Sequence, residues 1–278
     1  MMESHRLILL VSSKRDEASL NIAKQLIENH GFKAESKWFM GNPVYSRDLP
    51  NGERAELIFI DRETVDTQDL PLPKHLKLLI FISKHKSASG RPTLSVHTPG
   101  NLGEASLGGL PRRVSVSPAS AMKEALMAMK TAQEEMGLKY EVSYECTHHG
   151  PSLDVPTMFV ELGSSPPQWR DPDAAEAVAR GALAAASTST VYPTVLGIGG
   201  PHYNGRFTRR ALNSDIAFGH IISKHAVELL DEEMLRQCVE RTVEHVERAI
   251  LDWKGIKGSH RSAIMEYLQS INLEFERI

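Results

Sequence analysis

The run Lys77-Leu78-Leu79-Ile80-Phe81-Ile82 is continuously apolar after its first residue, and Glu56-Leu57-Ile58-Phe59-Ile60-Asp61 repeats the pattern upstream. Strands covered on both faces read this way, because neither side chain direction meets water. Leu7-Ile8-Leu9-Leu10-Val11 is a third such strand. Helical signals fall between and after these runs. Asp16 to Asn29 places Ala18, Ile22, Leu26 and Ile27 on one face and stops at Gly31. Lys37 to Phe39 lies in a second strand, and Thr93 to Thr98 is a shorter one. Ser117 and Pro118 open a helix whose stripe is Met122, Leu126, Met129 and Met136. Tyr140 to Thr147 alternates like a strand, and Met158 to Leu162 forms another. An Ala-rich helix runs from Asp171 to Ala186. Strands at Thr194–Ile198 and Ala217–Ile222 follow it. The spacing of Leu235, Val239, Val243, Val246 and Ile250 predicts one long amphipathic helix over Glu232–Ile250. A helix from Ser262 to Gln269 and a strand near Leu273 to Phe275 end the chain. Such alternation predicts an α/β fold around a mostly parallel or mixed sheet. The expectation is a single α/β domain over 1–278, with the Pro/Gly/Ser-richer region from Ser87 to Pro118 as subdomain boundary or functional loop.

Composition narrows the classes. Net charge is −3, so a nucleic-acid partner must be held by a local basic patch. Cys146 and Cys238 are the two cysteines and lie far apart, which excludes a cysteine zinc finger and a disulfide framework and points to a reducing cytosol. The run after Glu3 and His5 is too short for a signal peptide, and no apolar run approaches the roughly 20 residues of a membrane span. There is no GxGxxG after the first strand, no P-loop, no GxSxG elbow and no HExxH. Gly197-Ile198-Gly199-Gly200 is glycine-rich but reads as lacking the following helix and lysine of a phosphate cradle.

Two turns stand out: Thr147-His148-His149-Gly150-Pro151 and Gly197-Ile198-Gly199-Gly200-Pro201-His202-Tyr203. Each follows a strand-like run, where α/β proteins build sites, and each carries imidazole, the commonest metal ligand and a proton carrier near neutral pH. The pattern predicts that they converge on one pocket. Of the twelve histidines, His5, His30, His75 and His245 read as exposed. His85, His97, His148, His149, His202, His220 and His225 are the informative ones, with His220 readable as a satisfied core residue. Glu161 interrupts an apolar strand. It either faces solvent by alternation, or is buried and must be paired, ligate metal or titrate. Basic residues gather near the same loops, with Lys84, Lys86 and Arg91 in one cluster and Arg206, Arg209 and Arg210 in another. Arg112-Arg113 and Lys254, Lys257 and Arg261 form two more. Such clusters favour a polyanionic substrate held by its phosphates.

Five segments in this order strongly resemble the archaeal and plant type of D-aminoacyl-tRNA deacylase. They are Lys84-His85 to Pro99-Gly100-Asn101, Thr147 to Pro151, Phe159-Val160-Glu161-Leu162-Gly163-Ser164, Gly197 to Tyr203 and Phe218-Gly219-His220. The resemblance runs nearly the full length, with 40–75 and the C-terminus diverging. It implies hydrolysis of the ester between a D-amino acid and the 3′-terminal ribose of tRNA. It also implies Zn2+ dependence and a three-layer α/β/α sandwich around a mixed sheet, phosphorylase/hydrolase-like. Under it His149, His202 and Glu161 carry the chemistry, and His97, His148, His149 and His202 are candidate metal ligands. Backbone N–H groups of Gly199 and Gly200 would hold the oxyanion. Lys84, Arg91, Arg206 and Arg209 would hold the phosphates of the acceptor end. Aminoacylated tRNA is then the partner, without DNA or membrane, for a cytoplasmic enzyme expected to be a monomer. Two other readings stay open: a nucleoside phosphorylase or other hydrolase of the same fold, and a non-catalytic tRNA-binding protein.

Overall fold

The three apolar runs lie side by side. A computed structural model describes residues 7–278, so His5 lies outside the described residues. The chain begins β1 (Leu7–Ser13), α1 (Glu17–Asn29), β2 (Lys33–Phe39), β3 (Asn42–Asp48), β4 (Arg54–Ile60), β5 (Leu76–Lys86) and β6 (Thr93–His97). It continues β7 (Gly100–Asn101), β8 (Arg113–Val114), α2 (Ala119–Glu135), β9 (Glu141–Tyr144), β10 (Thr157–Ser164), α3 (Pro166–Trp169) and α4 (Pro172–Ser187). It closes with β11 (Thr194–Ile198), α5 (Gly205–Leu212), β12 (Ala217–Ile222), α6 (Glu232–Glu240), β13 (Val246–Leu251), α7 (Gly258–Ser270) and β14 (Glu274–Arg277).

An eight-stranded sheet has the order β2-β3-β4-β1-β5-β10-β6-β9. Its centre is parallel, whereas β10 meets β6 antiparallel and the β2–β3–β4 edge is an antiparallel meander, so the sheet is mixed. The four strands β12-β11-β13-β14 form a second, parallel sheet. One apolar cluster joins both sheets: Ile80, Val160 and Val96 from the first, Met122, Leu126 and Val178 from α2 and α4, and Phe218 and Ile250 from the second. A second cluster packs α6 and α7 (Leu235, Ile264, Leu268) on the far face of β11–β13 (Leu196, Ala249). A third, with Leu79, Phe81, Val11 and Phe159, covers the other face of the large sheet, closed by Leu70, Leu72 and Leu153. Among the described residues no helix is long and apolar enough to cross a membrane.

The predicted helix over Glu232–Ile250 is instead α6, a turn and β13. The break has a physical cause. Arg241 O accepts from Ser117 N and Ser117 O accepts from Val243 N, so this backbone pairs across rather than along a helix. The Arg241 guanidinium is tied to Val114 O, Leu153 O and Asp154. Val246–Leu251 then fills the slot between β11 and β14. The periodicity that mimicked a helix came from two elements whose apolar residues face one core. Ser117 does not cap α2: its Oγ accepts from Thr98, while the Glu244 carboxylate accepts from Ala119 N and Ser120 N. A helix, α5, does follow the Gly197–Gly200 turn, capped by Asn204.

Lys123 is nearly fully buried in α2, and its ammonium donates to the carbonyls of Ala211, Ser214 and Ile216. It therefore ties α2 to the connection between α5 and β12. Lys123→Met keeps the volume but strands two buried carbonyls and one half-buried one, at about 1–3 kcal/mol for each one left dry. We expect about 3 kcal/mol lower stability in urea unfolding; a midpoint unchanged from the parent protein would refute this role.

Candidate functional site

Alternation along the strands builds the site. Residues i and i+2 share a face, so Phe81, Ser83 and His85 of β5 line up, as do Phe159 and Glu161 of β10 and His97 and Ser95 of β6. The register sets Phe159 opposite both Phe81 and His97, and Glu161 opposite both Ser83 and Ser95. Phe81 stacks on Phe159 at 4.7 Å and His97 on Phe159 at 5.1 Å. One face of the sheet thus turns from apolar to polar at the carboxyl ends of the parallel strands, the usual place for a site in α/β folds.

Glu161 is buried, so the solvent-facing alternative fails. Its Oε1 accepts from Ser83 Oγ at 2.6 Å, and its Oε2 lies 3.3 Å from His85 Nδ1 and 3.5 Å from His97 Nε2. The centre of the network is a second carboxylate, Glu145, just past β9 and fully buried. Glu145 Oε2 accepts from His202 Nε2 at 2.9 Å and lies 3.6 Å from His148 Nε2, while Oε1 lies 3.0 Å from His85 Nδ1. Burial works against charge on all of these groups, but opposite charge outweighs it for four of them. His85 is raised to about 11 by Glu145 and Glu161, and His202 to about 10 by its contacts with Cys146 and Glu145. Contacts with His202 and His85 hold Glu145 well below the ordinary carboxylate range, and those with His85 and His97 hold Glu161 there too.

His148 and His149 are pushed the other way. Burial, then repulsion from His149 and His97, keeps His148 well below an ordinary imidazole; burial and His97 lower His149 to about 4. Both are therefore neutral near pH 7. His148 Nδ1 is 2.8 Å from Cys146 O and His149 Nδ1 is 2.7 Å from Gly150 O. A carbonyl can only accept, so the proton sits on Nδ1 and each Nε2 offers a lone pair. Metal-binding histidines are commonly oriented in this way. His149 holds φ +43, a left-handed conformation that costs a non-glycine residue about 1–3 kcal/mol. The turn is pinned where Gly100 N donates to His149 O at 2.6 Å and Gly150 N to Leu107 O at 2.8 Å.

The second histidine turn reaches this pocket. Cys146 N donates to His202 O at 3.0 Å, Glu145 bridges to Tyr203, and the His148 and His202 rings lie 4.5 Å apart. Cys146 Sγ is 3.3 Å from His202 Nδ1. His85, His148, His149, His202, Phe159, Glu161 and Lys84 line one cleft of about 550 Å³. Its groups fit a metal ion. His97, His148 and His149 each present a nitrogen within 4.8 Å of the others, as do His85 and His202 with a Glu145 oxygen. Both His97 nitrogens are buried without a hydrogen-bond partner, Nε2 lying 3.5 Å from Glu161. Such orphaned buried groups require a reason, and a shared cation supplies one.

The other residues singled out by sequence lie elsewhere. Gly199 N donates to Ile222 O at 2.8 Å, and Gly199 and Gly200 pack against Asp252 and Asn204, outside the cleft lining. Arg206 pairs with Asp252 at 3.2 Å and Arg91 with the exposed Glu141 at 3.0 Å; Arg209 sits on α5 beside Arg210. Lys84 alone of the four basic residues lines the cleft, 3.0 Å from Glu63. His220 is a satisfied core residue: its Nε2 donates to Arg241 O and its Nδ1 accepts from Thr147 Oγ1. His30 is paired with Glu176. Glu145, Ser83 and Asp16 were missed as site residues. Asp16 lines the cleft, caps α1 through Ser19 N, and is raised to about 6 by burial. The one signal for Glu145 was a carboxylate three residues before His148.

Comparison with known proteins identifies the family. A family model described as D-aminoacyl-tRNA deacylase matches residues 72–276. The D-aminoacyl-tRNA deacylase of Pyrococcus abyssi is 38% identical over 275 residues, covering 96% of this chain and 98% of its own. That of Methanosarcina mazei is 43% identical over 274 residues, covering 96% and 90%. A crystal structure described as a conserved protein of unknown function superposes with a TM-score of 0.87 at 26% identity, covering 99% of this chain and 96% of the other. The chain belongs to the D-aminoacyl-tRNA deacylase family.

Proposed function

We propose that the protein hydrolyses the ester between a D-amino acid and the 3′-terminal ribose of tRNA, releasing free amino acid and tRNA, in the cleft between the two histidine turns. The observation that carries this reading is the convergence there of two buried ionised carboxylates with neutral and protonated histidines. His97, His148 and His149 would hold zinc, the metal that imidazole sets of this kind suit, and His202 borders that set. When bound, zinc would polarise the ester carbonyl and ease ionisation of water. Glu161, ionised and 3.5 Å from His97, accepts the attacking water's proton. His202, kept protonated beside Glu145, supplies the proton to the departing ribose oxygen. The C–O bond to water forms, the ester C–O bond breaks, and the proton count closes. Lys84 and Lys86 on the cleft rim meet the terminal phosphates, and Arg206 and Arg209 of α5 meet those further along the acceptor stem. Arg91 and the Gly199–Gly200 turn stand outside this arrangement. The site takes residues from both sheets, which favours one domain over 1–278. A monomer suffices, since every group named comes from one chain.

The decisive assay compares matched D- and L-aminoacyl-tRNA with and without chelator. Hydrolysis confined to the D-ester and falling steeply with salt, as phosphate contacts require, supports the reading. Salt-independent turnover of a free nucleoside would favour the phosphorylase class instead.

The pKa pattern sets the pH profile. His149 works neutral, so the rate falls as pH drops through about 4. His202 works protonated, so the rate falls as pH rises through about 10. We expect a broad plateau between them in single-turnover rates on a substrate corrected for spontaneous hydrolysis. A sharp optimum near pH 6.5 would contradict these environments.

A further inference from the structure

We propose that Leu107, with Val65 and Phe159, forms the subsite for the amino-acid side chain of the ester, and that it favours apolar and aromatic side chains; this rests on the deacylase reading above. The cleft has two characters. Its lining includes the polar Lys84, His85 and His202 and the apolar Val65, Leu107 and Phe159. Leu107 is 61% exposed, although the turn that bears it is among the most tightly held near the site. Its carbonyl accepts from Gly150 N at 2.8 Å, which fixes it one residue from His149. Asn101 Nδ2 donates to Gly108 O at 2.9 Å and Leu110 O at 3.2 Å. A Cβ on Gly108 would meet Val65 O at 2.0 Å, and one on Gly150 would meet Gly109 N at 2.2 Å. Three backbones thus lie in contact, and none can withdraw from another. Scattered exposed leucines need no explanation. An exposed leucine on an immobilised turn, inside the cleft that holds the ester carbonyl, meets an apolar part of the substrate. The ribose and phosphates are polar, which leaves the aminoacyl side chain and the terminal base; Leu107 is held one residue from His149, beside the ester, which favours the side chain, whereas a contact with the base would lower all esters equally. A cleft of about 550 Å³ has room for an aromatic ring.

The test is kcat/KM for D-tyrosyl- and D-alanyl-tRNA with the unaltered protein and two variants of this exposed position. Leu107→Ala should lower turnover of the D-tyrosyl ester about tenfold and of the D-alanyl ester less than threefold, as removal of one apolar contact from a specificity pocket does. Leu107→Glu should lower the D-tyrosyl ester further and raise the ratio of D-lysyl to D-tyrosyl ester. Equal losses on all esters, or no loss, with a normally active parent protein overturn the subsite alone. A parent protein inactive on every D-ester overturns the deacylase reading and the subsite with it.

Discussion

Glutamine in place of Glu145 lowers kcat for D-aminoacyl-tRNA hydrolysis about a thousandfold, while KM changes little. The amide keeps the shape of the carboxylate, so the strand end and both turns stay in place. It removes the one anion that His85 and His202 share, at 3.0 and 2.9 Å. With only burial and Cys146 acting on it, His202 no longer holds its proton up to about 10. The alkaline limb of the rate profile should therefore move down by several pH units, and at pH 8 the proton donor is mostly absent. Loss of a positioned acid contributes about 10²–10⁴-fold, which brackets the expected loss. His202 deprotonates and His85 keeps Glu161 at 3.3 Å, so neither is left as a buried unpaired charge and the melting temperature changes far less than the rate. A folded Glu145→Gln protein with parental single-turnover rates would remove Glu145 from the mechanism.

Removal of metal has the second large effect. Dialysis against a chelator should reduce hydrolysis at least about a hundredfold, because a zinc ion held by His97, His148 and His149 would polarise the ester carbonyl. Zinc should restore the parent protein but not the His148→Ala, His149→Ala double variant, whose zinc content by elemental analysis should fall below one ion per chain. The neutrality of these imidazoles makes them ready ligands: below about pH 4 a proton competes with the metal at His149, and above it none does. Full activity in chelator, with no metal in the protein, would leave a purely histidine–carboxylate reaction and end the zinc reading.

The elements best read from sequence are those whose local signal and tertiary role agree. Lys77–Ile82 and Glu56–Asp61 are apolar on both faces because both faces of β5 and β4 are covered. The helix starts at Asp16 and Asp171 were legible because both aspartates cap their own helices. Ser117 was misread because its helix is capped from Glu244, far away in sequence. The helix over 232–250 was misread because apolar spacing cannot show that Arg241–Val243 pairs with Ser117. Of the site, the histidine turns stood out by composition, and the structure brings His148, His149 and His202 together. Glu145 did not stand out. Its weight comes from His85 and His202 on other segments, and in the chain only His148, three residues on, hints at it. The arginines were grouped by proximity in sequence, but Arg206 pairs with Asp252 and Arg91 with Glu141, and neither lines the cleft.

The bridge from Thr147 through His220 to Arg241 is usefully seen as a seam between two sheets. Thr147 N also donates to Ile221 O at 2.7 Å, and Cys146 N to His202 O at 3.0 Å. The first histidine turn is thus stitched to the second sheet on both sides of its backbone. Parting here would separate His202 from Glu145 and, because one apolar cluster spans both sheets, would open the shared core as well. Closure of this seam is therefore common to catalysis and to folding, and loss of activity on warming should track the melting of the chain.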